Sequence, residues 1–348
     1  MRRSDDEIAF VVPGRLDQLT GGYLFDRRIV EGLRARGRIV RVIDLSARAD
    51  TTRLAGLPDR TATVVDGLAL ADHAELMIAQ ARRLRLIAFI HGPLAQETGM
   101  SPAAARQAAE IEAALLSRVR GVLCPSHRTA AAVAGYGIPP ERIAVVPPGT
   151  AKPARPPGPR RFPARRLLCV ANLVPRKGHE LLVAALARIR DLDWSLSCVG
   201  SLERDPATVR AVRRRIRTVG LGRRITLSGE IPPQLVARAY RAADAFVLPS
   251  FHEGYGMVYA EAMAHGLPVI ATTAGAIPET VPRQAGLLVP PGDPAELARA
   301  LRRVIAQPAL AARLATGSRA AGARLPDWPR ATATWEKAFD RLAALAPP

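Results

Sequence analysis

The residues best suited to chemistry cluster between Phe246 and Thr280, in FVLPSFHEGYGMVYAEAMAHGLPVIATTAGAIPET. The pattern reads as a strand, a loop holding Gly254 and Gly256, a helix and a second strand, with Glu253 in the loop and Glu261 on the helix. A helix starting near Gly256 places Glu261 about 7.5 Å along its axis. Its start offers unpaired N–H groups and a positive dipole end, which suit a phosphate or sugar hydroxyls. The glycines allow close approach of the backbone. A carboxylate further along can accept from vicinal hydroxyls. Phosphate and vicinal hydroxyls together fit a nucleotide sugar, with Glu253 toward the sugar, the turn toward the diphosphate and Glu261 toward the ribose.

Three other places complete the candidate set. Val170–Gly178, VANLVPRKG, ends a strand in a turn that enters a helix and carries Arg176 and Lys177. A cation about 4 Å from a phosphate charge is worth roughly 4 kcal/mol at an effective dielectric of 20. Gly21 and Gly22 lie in a loop ahead of a helix expected from Tyr23 to Ala35. His91 ends an apolar strand in Phe89-Ile-His-Gly-Pro93.

The segment around Glu253 resembles the family 4 retaining glycosyltransferases, whose hallmark is a PSxxEGxGxxxxEAMAxGxPVIAT context. The matching residues run from Pro249, Ser250, Glu253, Gly254 and Gly256 through Glu261, Ala262, Met263 and Ala264 to Gly266, Pro268 and Thr272. The resemblance is specific from about Leu167 to Leu301 and looser before that. It implies that donor-binding residues include Gly21, Gly22, Asn172, Arg176, Lys177, Glu253, Gly254, Tyr255, Gly256, Met257, Glu261 and Glu279, and that His91, Lys177 and Glu253 act in catalysis. Lys177 matches the family lysine of a GRLxxxKG pattern, whereas Asn172 stands where the family has arginine. Either Arg176 substitutes for that arginine or fewer cations hold the phosphate. The resemblance further implies hexosyl transfer from a nucleotide diphosphate sugar, a UDP- or GDP-sugar, to a sugar, lipid-linked or small-molecule acceptor, with no bound metal and no cofactor.

Positioning these residues requires parallel α/β domains. Apolar runs at Ile8–Val12, Ile39–Leu45, Leu86–Ile90, Gly121–Cys124 and Ile143–Val146 alternate with helical patterns such as Pro102–Val119. A proline-rich stretch, Pro147–Pro163, interrupts the rhythm and reads as a stiff linker. The alternation then resumes with strands at Arg166–Ala171, Ser195–Val199, Ile225–Leu227, Ala245–Leu248 and Val269–Ala271. The expected fold is α/β of the GT-B type, two Rossmann-like parallel-sheet domains facing across a cleft with a C-terminal helix crossing back to the first. The expected divisions are 1–150, a 151–163 linker, 164–327 for the nucleotide sugar, and 328–348 for the last helix.

Length and charge narrow the reading. The chain has 348 residues and a net charge of +19, yet only three of its 50 basic residues are lysines. Such an arginine skew, with abundant alanine and proline, is first a mark of high-GC coding. The excess falls mainly after residue 155, including Arg210, Arg213, Arg214 and Arg217 on one helical face, with Val209, Val212 and Ile216 on another. That face reads as solvated, or as a patch for a membrane surface carrying a lipid-linked acceptor. Aromatics are 4% of the chain, too sparse for a base-stacking platform, and no nucleic-acid motif accompanies the charge, so nucleic acid is not an expected partner. Cys124, Cys169 and Cys198 read as buried free thiols in a cytoplasmic protein, with peripheral contact to the inner face of the membrane as the accompanying option. A nicotinamide oxidoreductase is excluded because Pro13-Gly-Arg-Leu-Asp17 supplies no GxGxxG. A pyridoxal enzyme is disfavoured, since Lys337 is the only late lysine. A nucleotide-sugar epimerase or hydrolase of the same fold is the alternative.

Overall fold

Buried β-branched and aliphatic runs flanked by amphipathic helices build two all-parallel sheets, as both-face burial requires. The computed structural model describes residues 7–46, 48–154, 157–158 and 162–348, with backbone only for 48–50. The charged start and parts of the proline-rich stretch, residues 1–6, 155–156 and 159–161, lie outside the described residues. The chain divides into two compact units, Met1–Gly149 with Pro326–Pro348, and Thr150–Leu325.

In the first unit, β1 (Glu7–Val12), β2 (Ile39–Asp44), β3 (Ala62–Asp66), β4 (Arg85–Phe89), β5 (Gly121–Cys124) and β6 (Ile143–Val145) form one sheet. Its order is β2-β1-β3-β4-β5-β6, so the winding reverses between β1 and β3. Crevices at the carboxyl ends of strands beside such a reversal are where open α/β sheets bind ligands. β3 was not among the expected strands, although its five residues are all buried. The helix after β1 spans Gly21–Ala35, and Thr20 caps it by accepting from the Tyr23 N–H. Gly21 and Gly22 therefore occupy its first turn, not a preceding loop, because the Thr20 hydroxyl satisfies an N–H that would otherwise be orphaned.

The last helix, Trp328–Ala343, belongs to this unit and packs against the helix Gly21–Ala35 and against β4 and β5. Trp335 is fully buried. Its ring stacks on Phe339 at 5.3 Å and lies 6.1 Å from Phe10 and 5.9 Å from Phe89. At the helix surface Glu336 pairs with Arg36 at 2.6 Å and Arg38 at 3.4 Å.

In the second unit, β7 (Arg166–Val170), β8 (Ser195–Val199), β9 (Ile225–Leu227), β10 (Ala245–Leu248), β11 (Val269–Thr272) and β12 (Gly286–Val289) are ordered β12-β11-β10-β7-β8-β9. This is the doubly wound dinucleotide-binding order, and its reversal lies between β7 and β10. Asp293 caps the helix Pro294–Ala306 through the N–H groups of Ala295 and Glu296, with Pro294 in the first turn. On the helix Pro206–Thr218, Val209, Val212 and Ile216 are buried while Arg210, Arg213, Arg214 and Arg217 are exposed. Among the described residues, no helix is long and apolar enough to cross a membrane.

Candidate active site

The sheet order brings Lys177 and Glu253 together. β7 runs into a 3-10 turn at Pro175–Lys177, and β10 into the loop Pro249–Gly256. Because β7 and β10 pair directly, the two loops leave the same edge of neighbouring strands. Lys177 Nζ donates to Glu253 Oε1 at 2.6 Å, and Ser250 Oγ donates to the same oxygen at 2.6 Å. Arg176 NH1 lies 3.5 Å from Glu253 Oε2 and donates to the His252 carbonyl at 3.0 Å. The Glu253 and Lys177 side chains are only 7% and 16% exposed. No other partner accepts from Lys177 Nζ among the described residues, which leaves it two N–H donors for a further anion.

Burial by itself would raise the Glu253 carboxyl, but Lys177 and Arg176, with hydrogen bonds from Lys177 and Ser250, outweigh it and hold it below the usual range. Burial lowers the Lys177 ammonium, and Glu253 only partly offsets this. A lysine that is reluctantly charged while one carboxylate is nearby gains from additional negative charge.

Backbone contacts fix the loop around Glu253. Phe251 N–H donates to the Arg176 carbonyl at 2.8 Å, and Ala276 N–H to that of Glu253 at 2.8 Å. Thr272 Oγ1 donates to the Ser250 carbonyl at 2.6 Å, and Thr280 Oγ1 to that of Tyr255 at 2.6 Å. Two glycines make the approach feasible. Gly178 adopts φ +68°, and a Cβ there would collide with the Pro249 carbonyl. Gly275 adopts φ +54°, and a Cβ there would strike the Glu253 backbone. Gly178→Ala should therefore cost at least about 1–2 kcal/mol from left-handed strain alone. A lowered urea midpoint at unchanged slope would show it; an unchanged midpoint would contradict this packing.

The remaining expected residues of the second unit occupy adjoining elements. Gly256 is the N-cap of the helix Met257–Ala264, with Met257 in its first turn and Gly254 and Tyr255 half-buried just before it. Burial pushes the Tyr255 hydroxyl up to about 12. Glu261 sits on that helix and accepts from Tyr240 Oη at 3.0 Å, a partner absent from the sequence reading. Asn172 lies two residues past the end of β7, where its Oδ1 accepts from the Ser201 N–H at 2.9 Å. That bond ties the ends of β7 and β8 together. Glu279 is exposed in the short helix Ile277–Thr280.

In the first unit His91 follows β4 and forms a cluster that linear spacing conceals. Its Nε2 lies 2.9 Å from Asp26 Oδ1 and 3.2 Å from Asp66 Oδ2. Gly22 faces the ring: a Cβ there would stand 3.3 Å from His91 Cδ2. A second group, Cys169, His179 and Cys198, has its ligand-type atoms within 4.8 Å of one another in the second unit's core. Cysteine spacing alone gave no sign of it, because β7–β8 pairing sets Cys169 opposite Cys198. Burial lowers His179 to about 4 and so keeps its imidazole neutral.

Known sequences and structures converge on these two units. The family described as "Glycosyl transferases group 1" matches residues 164–307, and "Glycosyltransferase Family 4" matches residues 63–151. The chain belongs to the family 4, group 1 glycosyltransferases. Among relatives of this family 4 chain, an MMP α-(1→4)-mannosyltransferase from Mycolicibacterium hassiacum is 28% identical over 278 residues, covering 74% of this chain and 67% of that protein. A D-inositol 3-phosphate glycosyltransferase from Geodermatophilus obscurus is 35% identical over 228 residues, covering 60% and 48%. The match thus spans two thirds of the first relative and about half of the second. Among solved structures, sucrose-phosphate synthase from Thermosynechococcus elongatus aligns with a TM-score of 0.83 at 24% identity, covering 97% of this chain and 99% of that one. Anabaena HepE in complex with UDP and glucose aligns with a TM-score of 0.76 at 20% identity, covering 96% and 99%. The fold of this family 4 chain is GT-B.

Proposed function

We propose that this protein is a retaining glycosyltransferase that moves a hexose from a UDP- or GDP-sugar to a hydroxyl of a sugar, lipid-linked or small-molecule acceptor. The observation that carries this reading is the Lys177–Glu253–Ser250 cluster beside the strand-order reversal of the second sheet. A nucleotide diphosphate offers the anion that the two remaining Lys177 donors require, with Arg176 alongside. Glu253, fixed and ionised, orients sugar hydroxyls, and Glu261, held by Tyr240, meets the ribose. The names of relatives that transfer mannosyl or other glycosyl groups, and HepE complexes containing UDP-glucose, support the donor class.

The step is a substitution at the anomeric carbon. The bond from that carbon to the diphosphate oxygen breaks, and both electrons leave with the nucleotide diphosphate. The acceptor hydroxyl forms the new bond on the same face and passes its proton to the departing phosphate oxygen. Lys177 and Arg176 stabilise the charge that grows on the diphosphate, which is greatest in the transition state. His91 supplies a contact to the donor sugar or acceptor. Three buried free thiols fit a reducing, cytoplasmic setting.

Proton NMR of the product tests the reading. A glycoside with the donor's anomeric configuration, appearing with free nucleotide diphosphate, is the expected result. Inverted configuration overturns the retaining step. Free sugar without glycoside in the presence of acceptor identifies a hydrolase, and a new nucleotide-sugar isomer an epimerase. Donor binding is expected to show first as thermal stabilisation, about 2.7 kcal/mol at a ligand concentration of 100 Kd.

A further inference from the structure

The cluster around His91 is built more tightly than a contact residue needs. Three segments converge on one ring. Asp26 comes from the helix Gly21–Ala35, Asp66 from the end of β3, and His91 from the residues after β4. Both carboxylates face the same nitrogen, at 2.9 and 3.2 Å from Nε2. A bare Nε2 would confront two acceptors, so this nitrogen carries a proton. Nδ1 makes no hydrogen bond among the described residues, and the side chain is 22% exposed.

Neither carboxylate is free to turn away. Asp66 Oδ1 accepts from the Leu68 N–H at 2.8 Å and the Ala69 N–H at 3.4 Å, capping the helix Gly67–Asp72. Asp26 is 1% exposed, and its Oδ2 has no partner among the described residues. The ring is held against Phe89 at 4.4 Å and Phe25 at 5.7 Å. Two carboxylates on one edge favour a doubly protonated ring, which turns Nδ1 from an acceptor into a donor.

We propose that Asp26 and Asp66 are positioning residues that hold His91 as an imidazolium, making its Nδ1–H a fixed donor to an oxygen of the bound sugar or acceptor. This role rests on the glycosyl-transfer reading of the site; the clamp itself does not. His91 then serves as a charged hydrogen-bond donor and not as the base that deprotonates the acceptor.

The electrostatics agree. Burial opposes the charge on His91, but Asp26 and then Asp66 outweigh it and push the imidazole up to about 10. Burial raises the Asp26 carboxyl to about 7, against the pull of His91. Tyr23, on the same helix as Asp26, is raised by burial and by the charges of Asp66, Asp44 and Asp26.

Ring-nitrogen NMR of the 15N-labelled protein between pH 5 and pH 10 tests the clamp without substrate. The wild-type His91 ring should show two protonated nitrogens through neutral pH. Asp26→Asn should lower its titration by about two pH units. Asp66→Asn, whose asparagine still caps the helix, should lower it in the same sense and stands in if Asp26→Asn fails to fold. A wild-type His91 titrating near 6.5, or one unmoved in the folded variants, overturns the proposal. With a donor and acceptor in hand, the alkaline limb of kcat should move down with the variant's titration. A clamped His91 in a protein that transfers no sugar would refute the functional reading and leave the clamp standing.

Discussion

Lys177→Ala should destabilise the protein by about 3 kcal/mol and weaken productive donor binding by up to about a thousandfold. The first figure follows from Glu253, which is 7% exposed and would lose its principal counter-charge. Removing one partner of a buried pair costs about 3–5 kcal/mol, and Arg176 and Ser250 keep this case at the low end. The second follows from a cation–phosphate interaction worth roughly 4 kcal/mol at an effective dielectric of 20. The double variant Lys177→Ala/Glu253→Gln separates the two effects. It carries no buried unpaired charge, so it should recover most of the stability in urea denaturation, yet donor binding should stay lost. Recovery of both would mean that Lys177 serves only to neutralise Glu253. The pH dependence follows the same pair. Glu253 is held below its ordinary value of 4.5, so its contribution is fully present above that value and is lost as pH falls through the lower folded-state value. The double variant should lose that acid limb.

Trp335→Ala should cost about 3–5 kcal/mol, the range for a large aromatic removed from a close-packed core. Trp335 joins the last helix to the first unit's sheet through Phe10 and Phe89 and is stacked on Phe339. Its indole N–H has no partner among the described residues. Trp335→Phe keeps an aromatic ring in the stack and discards that unpaired donor, so it should cost under about 1.5 kcal/mol. Calorimetric unfolding of the two variants checks the contrast. Equal, small losses would mean that the last helix contributes little to the first unit.

The half of the second unit that carries the candidate site was legible because each of its motifs sits at a strand end. VANLVPRKG and LPSFHEGYG both leave apolar runs, and once parallel strands are inferred, both loops must emerge on the same side. The direct bond between Lys177 and Glu253, 76 positions apart, depends on β7 pairing with β10. No local pattern states that pairing. Asp26 and Asp66 were missed for a related reason. Asp26 reads as one more polar residue on an amphipathic helix, and β3 passes at Asp66 straight into the helix Gly67–Asp72, with no turn to mark its end. Only the β1-β3-β4 order brings 26, 66 and 91 together. Gly-Gly ordinarily marks a turn, whereas Thr20 is a threonine placed to cap a helix and draws the pair into its first turn. The charge was the least informative feature. The arginines at 210, 213, 214 and 217 are exposed, whereas the lysine proposed to meet the donor, Lys177, is bonded to Glu253.

The most direct test of the central claim is calorimetric titration of wild-type protein and the Lys177→Ala/Glu253→Gln variant with UDP-, GDP- and ADP-sugars. Saturable one-to-one binding of one nucleotide class to the wild-type protein is expected, with binding at least about tenfold weaker, some 1.4 kcal/mol, to the folded variant. Equal binding by both proteins, or no binding of any nucleotide sugar to the wild type, would contradict it.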